Sequence, residues 1–119
     1  MKTSVDLLQL LDAVGDAVIV ADAQEHIVLW NAAATRIFGY SEGEALGQTL
    51  DMIVPERQRH RHSEGYGHSM ETGTTRYGTS VLKVPAKHKD GRTLSIAFTV
   101  GMLFDENHRA NGVAAIIRR

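Results

Sequence analysis

The chain has 119 residues, 43% apolar and 23% charged, a size and balance that suit one folded domain and exclude disordered, fibrous or two-core organisations. It has no cysteine, which removes disulfides, thiolate zinc sites, iron–sulfur clusters and any cysteine nucleophile, and leans toward a reducing compartment. The net charge of -1 hides an asymmetry: residues 1–54 hold eight acids against two bases and residues 55–92 eight bases against four acids, a basic surface too dilute for direct nucleic-acid binding.

Ser4 suits the N-cap of a first helix whose Leu7, Leu8, Leu10, Leu11 and Val14 form a wide apolar stripe, with Gly15 as its stop. That stripe needs a cover, either the domain's own sheet or a twin helix in a homodimer, and both bury the same kind of face. The longest purely apolar run, Ala17 to Ala21, is far too short to cross a bilayer, and Met1-Lys2 is not followed by a signal-peptide core. A cytoplasmic setting away from the membrane is expected.

Ala17 to Asp22 and His26 to Trp30 are short β-branched runs separated by Ala23-Gln24-Glu25, the pattern of a hairpin. Asn31 then stands as N-cap to a helix over Ala32–Phe38, stopped by Gly39, and Ser41-Glu42-Gly43-Glu44 matches a capping box for a second short helix. Trp30 is expected to pack at the edge of the core. Pro55-Glu56 begins a further helix running toward Gly73, weakened in its middle by Gly65 and Gly67.

The last third reads as strand. Thr74 to Lys87 is rich in β-branched residues, Lys89-Asp90-Gly91-Arg92 supplies a turn, and Leu94, Ile96, Phe98 and Val100 alternate with Ser95, Ala97 and Thr99. Asp105-Glu106-Asn107-His108 makes another turn before a final strand over residues 113–117. Two strands, several short helices and three strands in meander predict an α+β fold, with helices gathered on one side of an antiparallel sheet.

Half of the six histidines fall in the stretch IVPERQRHRHSEGYGH, Ile53 to His68. At about 100° per residue, His60 and His62 lie roughly 200° apart and His62 and His68 roughly 240° apart, so neither pair shares a helix face. The i, i+3 or i+4 spacing of a helical metal site is missing, and no protein-only metal site is expected. One of these histidines can face the interior while another faces water with Arg57 and Arg61. No Ser-His-Asp constellation is legible, and Asp105-Glu106 fall in a turn, so no catalytic activity is expected.

The stretches DAVIVADAQEHIVLWNAAATRIFGYSEGEALGQTLDMIVPE (Asp16 to Glu56), KHKDGRTLSIAFTV (Lys87 to Val100) and the closing GVAAIIRR together resemble the PAS (S-box) sensory domain. The resemblance implies a five-stranded antiparallel sheet with short helices on one side enclosing a pocket, over residues 16–119, preceded by an amphipathic helix over residues 1–15. It implies a sensing and dimerisation module of a bacterial signal-transduction protein, a transcriptional regulator or a two-component sensor histidine kinase. The resemblance further implies a homodimer that binds a small-molecule ligand and passes a conformational change to a C-terminal effector domain. The chain stops at Arg118-Arg119, where the family's Asp-[Ile/Val]-Thr turn would begin, which implies a domain cut from a longer protein.

On that resemblance the ligand-facing set is Met52, Ile53, His62, Tyr66, Tyr77, Leu82, Val84, Phe98, Val100 and Met102. Oxygen-sensing haem members of rhizobial type place an axial histidine after the PE motif, and Pro55-Glu56 puts His62 there; because a thioether can ligate haem iron, Met102 is the candidate second ligand. Where those sensors carry an arginine that reaches bound oxygen, this chain has Leu82. The cysteine-dependent flavin and yellow-protein photochemistries of the family are excluded by composition. Either no cofactor or a small metabolite is therefore favoured, with haem as the alternative.

Overall fold

A computed structural model describes residues 4–75 and 78–119. Helix α1 (Leu7–Ala13) leads into strands β1 (Ala17–Asp22) and β2 (Ile27–Trp30), then helices α2 (Ala32–Phe38) and α3 (Glu42–Ala45), two 3-10 turns, α4 (Arg59–Thr72), and strands β3 (Leu82–Lys87), β4 (Thr93–Phe104) and β5 (Ala110–Arg118). The strands form one antiparallel sheet in the order β2-β1-β5-β4-β3. The last strand is thus central, and residues 31–81 must carry the chain from one sheet edge to the other.

Because side chains alternate along a strand, register decides which residues share a face. Ile19 pairs with Trp30 and Ala115, and Phe98 pairs with Leu82 and Ile117, which puts all six on one inner face. Against that face α2 lays Ala34 and Phe38, α3 lays Ala45, and the first 3-10 turn lays Ile53. Phe38, Ile19 and Ile27 are its largest fully buried side chains. Trp30 is buried among them, and its Nε1 donates to Thr35 Oγ1 and to the Tyr40 carbonyl, both at 3.1 Å.

Asn31 caps α2 as the sequence predicts, and it does more. Its Oδ1 accepts from the backbone N–H of Ala34 (3.1 Å) and of Val18 (2.9 Å), while its Nδ2 donates to the carbonyls of Leu11 (2.7 Å) and Asp16 (3.1 Å). Asp12 Oδ1 in turn accepts from Ala32 N–H at 3.0 Å. One buried side chain therefore joins the end of α1, the start of β1 and the start of α2.

The capping box at Ser41 and Glu44 is present. Glu44 also accepts from Lys89 Nζ at 2.6 Å, and this hydrogen bond, followed by that of the Ser41 backbone, holds its carboxyl below the ordinary glutamate value. Lys89 belongs to the β3–β4 turn, whose backbone N–H donates to the Phe38 carbonyl at 2.9 Å. At the C-cap of α2, Gly39 has φ 87° and an ideal Cβ there would lie 2.6 Å from His88 Cε1, so only glycine suits both the conformation and the docked imidazole.

Three expectations are corrected. The first helix is capped by Asp6, whose Oδ1 accepts from Gln9 N–H at 3.1 Å, and not by Ser4; aspartate caps as well as serine and stands directly before the leucines. None of its residues is buried, so the protomer's own sheet does not cover the stripe. Between Thr74 and Val81 the described residues form no strand, because Gly73 (φ 73°) and Gly78 (φ 57°) turn the chain against the β-branched propensity, and β3 begins only at Leu82. After Pro55 the chain makes a 3-10 turn, Glu56–Gln58, before α4 starts at Arg59, and Gly73 ends α4 as expected. Among the described residues no helix is long and apolar enough to cross a membrane.

Candidate functional site

Helix α4 crosses the inner side of the sheet near β5, yet Tyr66 is its one buried residue. With so little apolar surface to bury, the helix depends on polar anchors. Arg59 Nε donates to the carbonyls of Asp51 and Val54, both at 3.1 Å, and fixes its first turn. Tyr66 O–H donates to the Asp22 carbonyl at 2.6 Å and fixes its middle to the end of β1. Burial pushes the Tyr66 phenol well above its ordinary value, with the charges of Glu25 and Asp22 adding, so it remains a donor throughout the physiological range.

The opposite wall is the β1–β2 turn. Asp22 Oδ1 accepts from the N–H of Gln24 and of His26, both at 2.9 Å, which lets Glu25 adopt φ 68°, a left-handed conformation rare outside glycine. Leu50 N–H donates to the Glu25 carbonyl at 3.2 Å and locks the turn to the segment after α3. The Glu25 carboxylate, only 12% exposed, then lies 3.6 Å from His62 Nδ1. That is too long for a hydrogen bond, and the Nδ1 is buried with no partner. Asp51 Oδ1 is the other buried side-chain polar atom without one among the described residues.

The three histidines separate as the helical geometry predicts. His60 is 90% exposed and pairs with Glu64 on the same helix, His68 is exposed, and His62 turns toward the domain with its ring 6.3 Å from that of Tyr66. An unpartnered buried polar atom costs about 1–3 kcal/mol, so a ligand group that hydrogen-bonds His62 would recover that loss.

Of the ligand-facing set, Ile53 is buried in the core and Met52, Val84 and Phe98 pack against it. Leu82, Val100 and Met102 are half-buried and follow the same inner-face alternation along β3 and β4. His62 and Tyr66 come from α4 above them, and Tyr77 lies outside the described residues. Apolar floor and polar helix are therefore brought to one side of the sheet. Glu25, Asp22, Asp51 and Arg59 belong to the same site and escape sequence reasoning, because their roles depend on a left-handed turn without glycine and on side chain-to-backbone bonds between distant segments. Among the described residues no group of three or more His, Cys, Asp or Glu could hold a metal ion.

Removing the phenol oxygen alone tests the anchor. Tyr66→Phe is expected to lower stability by about 1 kcal/mol, seen as a fall of roughly 4 °C in Tm by thermal denaturation, since the ring stays buried and one hydrogen bond is lost.

An open antiparallel sheet in this strand order, with its helices inserted between the second and third strands and gathered on one face, defines the sensory fold anticipated above. The chain belongs to the PAS family: the family model for the PAS fold matches residues 6–119. A PAS domain of a Colwellia psychrerythraea protein superposes with a TM-score of 0.79 at 26% identity, covering 95% of this chain and 96% of that one. Sensor protein FixL of Bradyrhizobium diazoefficiens is 34% identical over 80% of this chain and 19% of its own length. Oxygen sensor protein DosP of Escherichia coli is 25% identical over 74% of this chain and 11% of its own length. This chain is thus similar to a small part of much longer sensor proteins.

Proposed function

We propose that this domain is the ligand-sensing and dimerising module of a longer cytoplasmic bacterial signalling protein, without catalysis of its own, and that His62 is its ligand contact. The observation that carries the reading is the buried, unpartnered His62 Nδ1 on a helix held by few anchors over an apolar sheet face. A small polar metabolite between α4 and the inner face of β3 and β4 would pair with His62 and shift α4 relative to the β1–β2 turn. Binding acts only as far as it favours one of two such arrangements. The change would pass through the sheet to α1 and to a C-terminal effector of the histidine-kinase or transcription-regulator class, with residues 1–15 as a separate helical element. In a thermal-shift screen of small anionic and polar metabolites, a hit should raise Tm in the wild type and lose most of that shift in His62→Ala; hits that survive the substitution unchanged would remove His62 from the site.

A second reading is haem sensing, favoured by His62 itself and by the name of one relative, an oxygen sensor protein. The donor chemistry fits in kind: imidazole is a haem ligand, and with Nδ1 buried 3.6 Å from the Glu25 carboxylate, Nε2 is the ring nitrogen that would serve as the ligand atom. Haem would supply an iron centre able to bind diatomic gases. This chain's part is to present His62 and to exclude water with Ile53, Val84 and Phe98, while Leu82 offers no hydrogen bond to a bound gas. A Soret band formed with haemin in the wild type and absent in His62→Ala would support this reading, and a featureless spectrum in both would retire it.

A further inference from the structure

The two edges of the sheet are finished differently. At β2 the chain covers its own edge: Gly47 N–H donates to the Ile27 carbonyl at 2.9 Å, Ile27 N–H to the Gln48 carbonyl at 2.8 Å, and His26 bridges Thr49. At the opposite edge β3 pairs with β4 alone, and among the described residues no segment lies along its outer side. His88 N–H donates to the Arg92 carbonyl, so the even-numbered residues of this antiparallel ladder bond β4, and Lys83, Pro85 and Lys87 turn their backbone groups outward. The edge therefore offers the N–H groups of Lys83 and Lys87 and the carbonyls of all three residues. Pro85 costs the sheet nothing, because the N–H it lacks would have pointed away from β4.

The side chains of the same three residues share the outer face with Ala97, Ser95 and Thr93 opposite them. A hollow of about 380 Å³ opens there, lined by Lys83, Val84, Pro85, Thr93, Leu94 and Ser95. Strands β3, β4 and β5 contain no acid. Lys89, Arg92 and Arg118 are already paired with Glu44, Asp90 and Asp16, whereas among the described residues Lys83 and Lys87 have no acidic partner.

We propose that the free edge of β3 is the docking site for an extended acidic segment of a partner protein, which adds to the sheet as a further strand. In an antiparallel addition, one acid stands opposite Lys83 and a second opposite Lys87, about 13 Å further along the strand. The side chain between these acids lies over Pro85 and fills the hollow. A second copy of this chain is a poor occupant. Two β3 edges centred on Pro85 would set Lys83 against Lys87 and leave both proline carbonyls without a donor, and like charges directly opposite repel. The lysines and the proline thus bar self-pairing while they select an acidic strand.

Amide NMR of the 119-residue chain, titrated with the end-capped peptide Thr-Glu-Thr-Val-Thr-Glu-Thr, tests this. The peptide should bind and slow hydrogen exchange at the Lys83 and Lys87 amides while leaving the β2 edge unchanged. The same peptide with lysine in place of glutamate should not bind. Lys83→Glu/Lys87→Glu protein, its fold verified by unchanged amide shifts in β1 and β5, should bind the glutamate peptide about tenfold more weakly and accept the lysine peptide instead, since two attractive cross-strand pairs become repulsive. No binding at millimolar peptide, or undiminished binding to the charge-reversed protein, would overturn the site. Binding that leaves the Lys83 and Lys87 amides unprotected would overturn strand addition. Self-association of the wild type that the double substitution abolishes would replace the partner with a second copy. A short oligothymidylate that binds as tightly as the peptide would reduce the edge to a surface for any polyanion and overturn the proposal.

Discussion

Asn31→Ala is expected to destabilise the domain by about 3 kcal/mol, measured by urea denaturation. The loss of an N-cap costs about 1 kcal/mol, and the Val18 N–H left buried without its acceptor adds a similar or larger amount. The Leu11 and Asp16 carbonyls also lose their donor, so α1 should fray and its amides should exchange faster than in the wild type. Asn31→Asp retains the two acceptor roles and loses the two donor roles, and should fall between wild type and alanine. A cost near zero for the alanine variant would contradict the placing of Asn31 as the joint between α1, β1 and α2.

Gly112→Ala should cost about 2 kcal/mol, the range of overpacking in a well-packed interior. An ideal Cβ at Gly112 would lie 2.7 Å from the Ala21 carbonyl oxygen on the neighbouring strand, with Leu103 Cδ1 at 3.7 Å on its other side. Backbone cannot move aside as a flexible side chain can, so the pairing of β1 with β5 must shift. Gly101→Ala, in β4, is the matched control: its Cβ meets nothing, and alanine should be neutral or slightly stabilising because it restricts the unfolded chain. Equal denaturation midpoints for the two variants would contradict the close approach of β5 to β1.

Much of the fold was legible because local signals and global packing agree. The hairpin strands, the caps at Asn31 and Ser41, the stops at Gly39 and Gly73 and the alternation from Leu94 to Val100 each have a short-range physical cause, and each stands where the residues placed it. The errors fall where local signals compete. Ser4 and Asp6 are equivalent caps on one leucine run, and the β-branched stretch after Gly73 loses to glycines in left-handed conformations. For the site, helical arithmetic separated His62 from His60 and His68. It could not supply Glu25, whose carboxylate reaches His62 only because the Asp22 side chain folds the turn backward. The Asp22 carbonyl that receives Tyr66, 44 residues away, has no trace in any local pattern.

The physical logic of the site follows from these contacts. A helix rich in charge and interrupted by Gly65 and Gly67 buries little apolar surface, so its position rests on Arg59 and Tyr66 at two points along one side. An element held so lightly is suited to move between two arrangements, whereas the sheet beneath it is paired along every strand.

The measurement that bears most directly on this account is native mass spectrometry of the folded domain as purified from cells, wild type beside His62→Ala. The account predicts a small-molecule mass on the wild type that is absent from the variant, with both proteins showing the same folded charge states. The same retained mass on both proteins, or the bare polypeptide mass for a wild type that has been saturated with the thermal-shift hits, would contradict it.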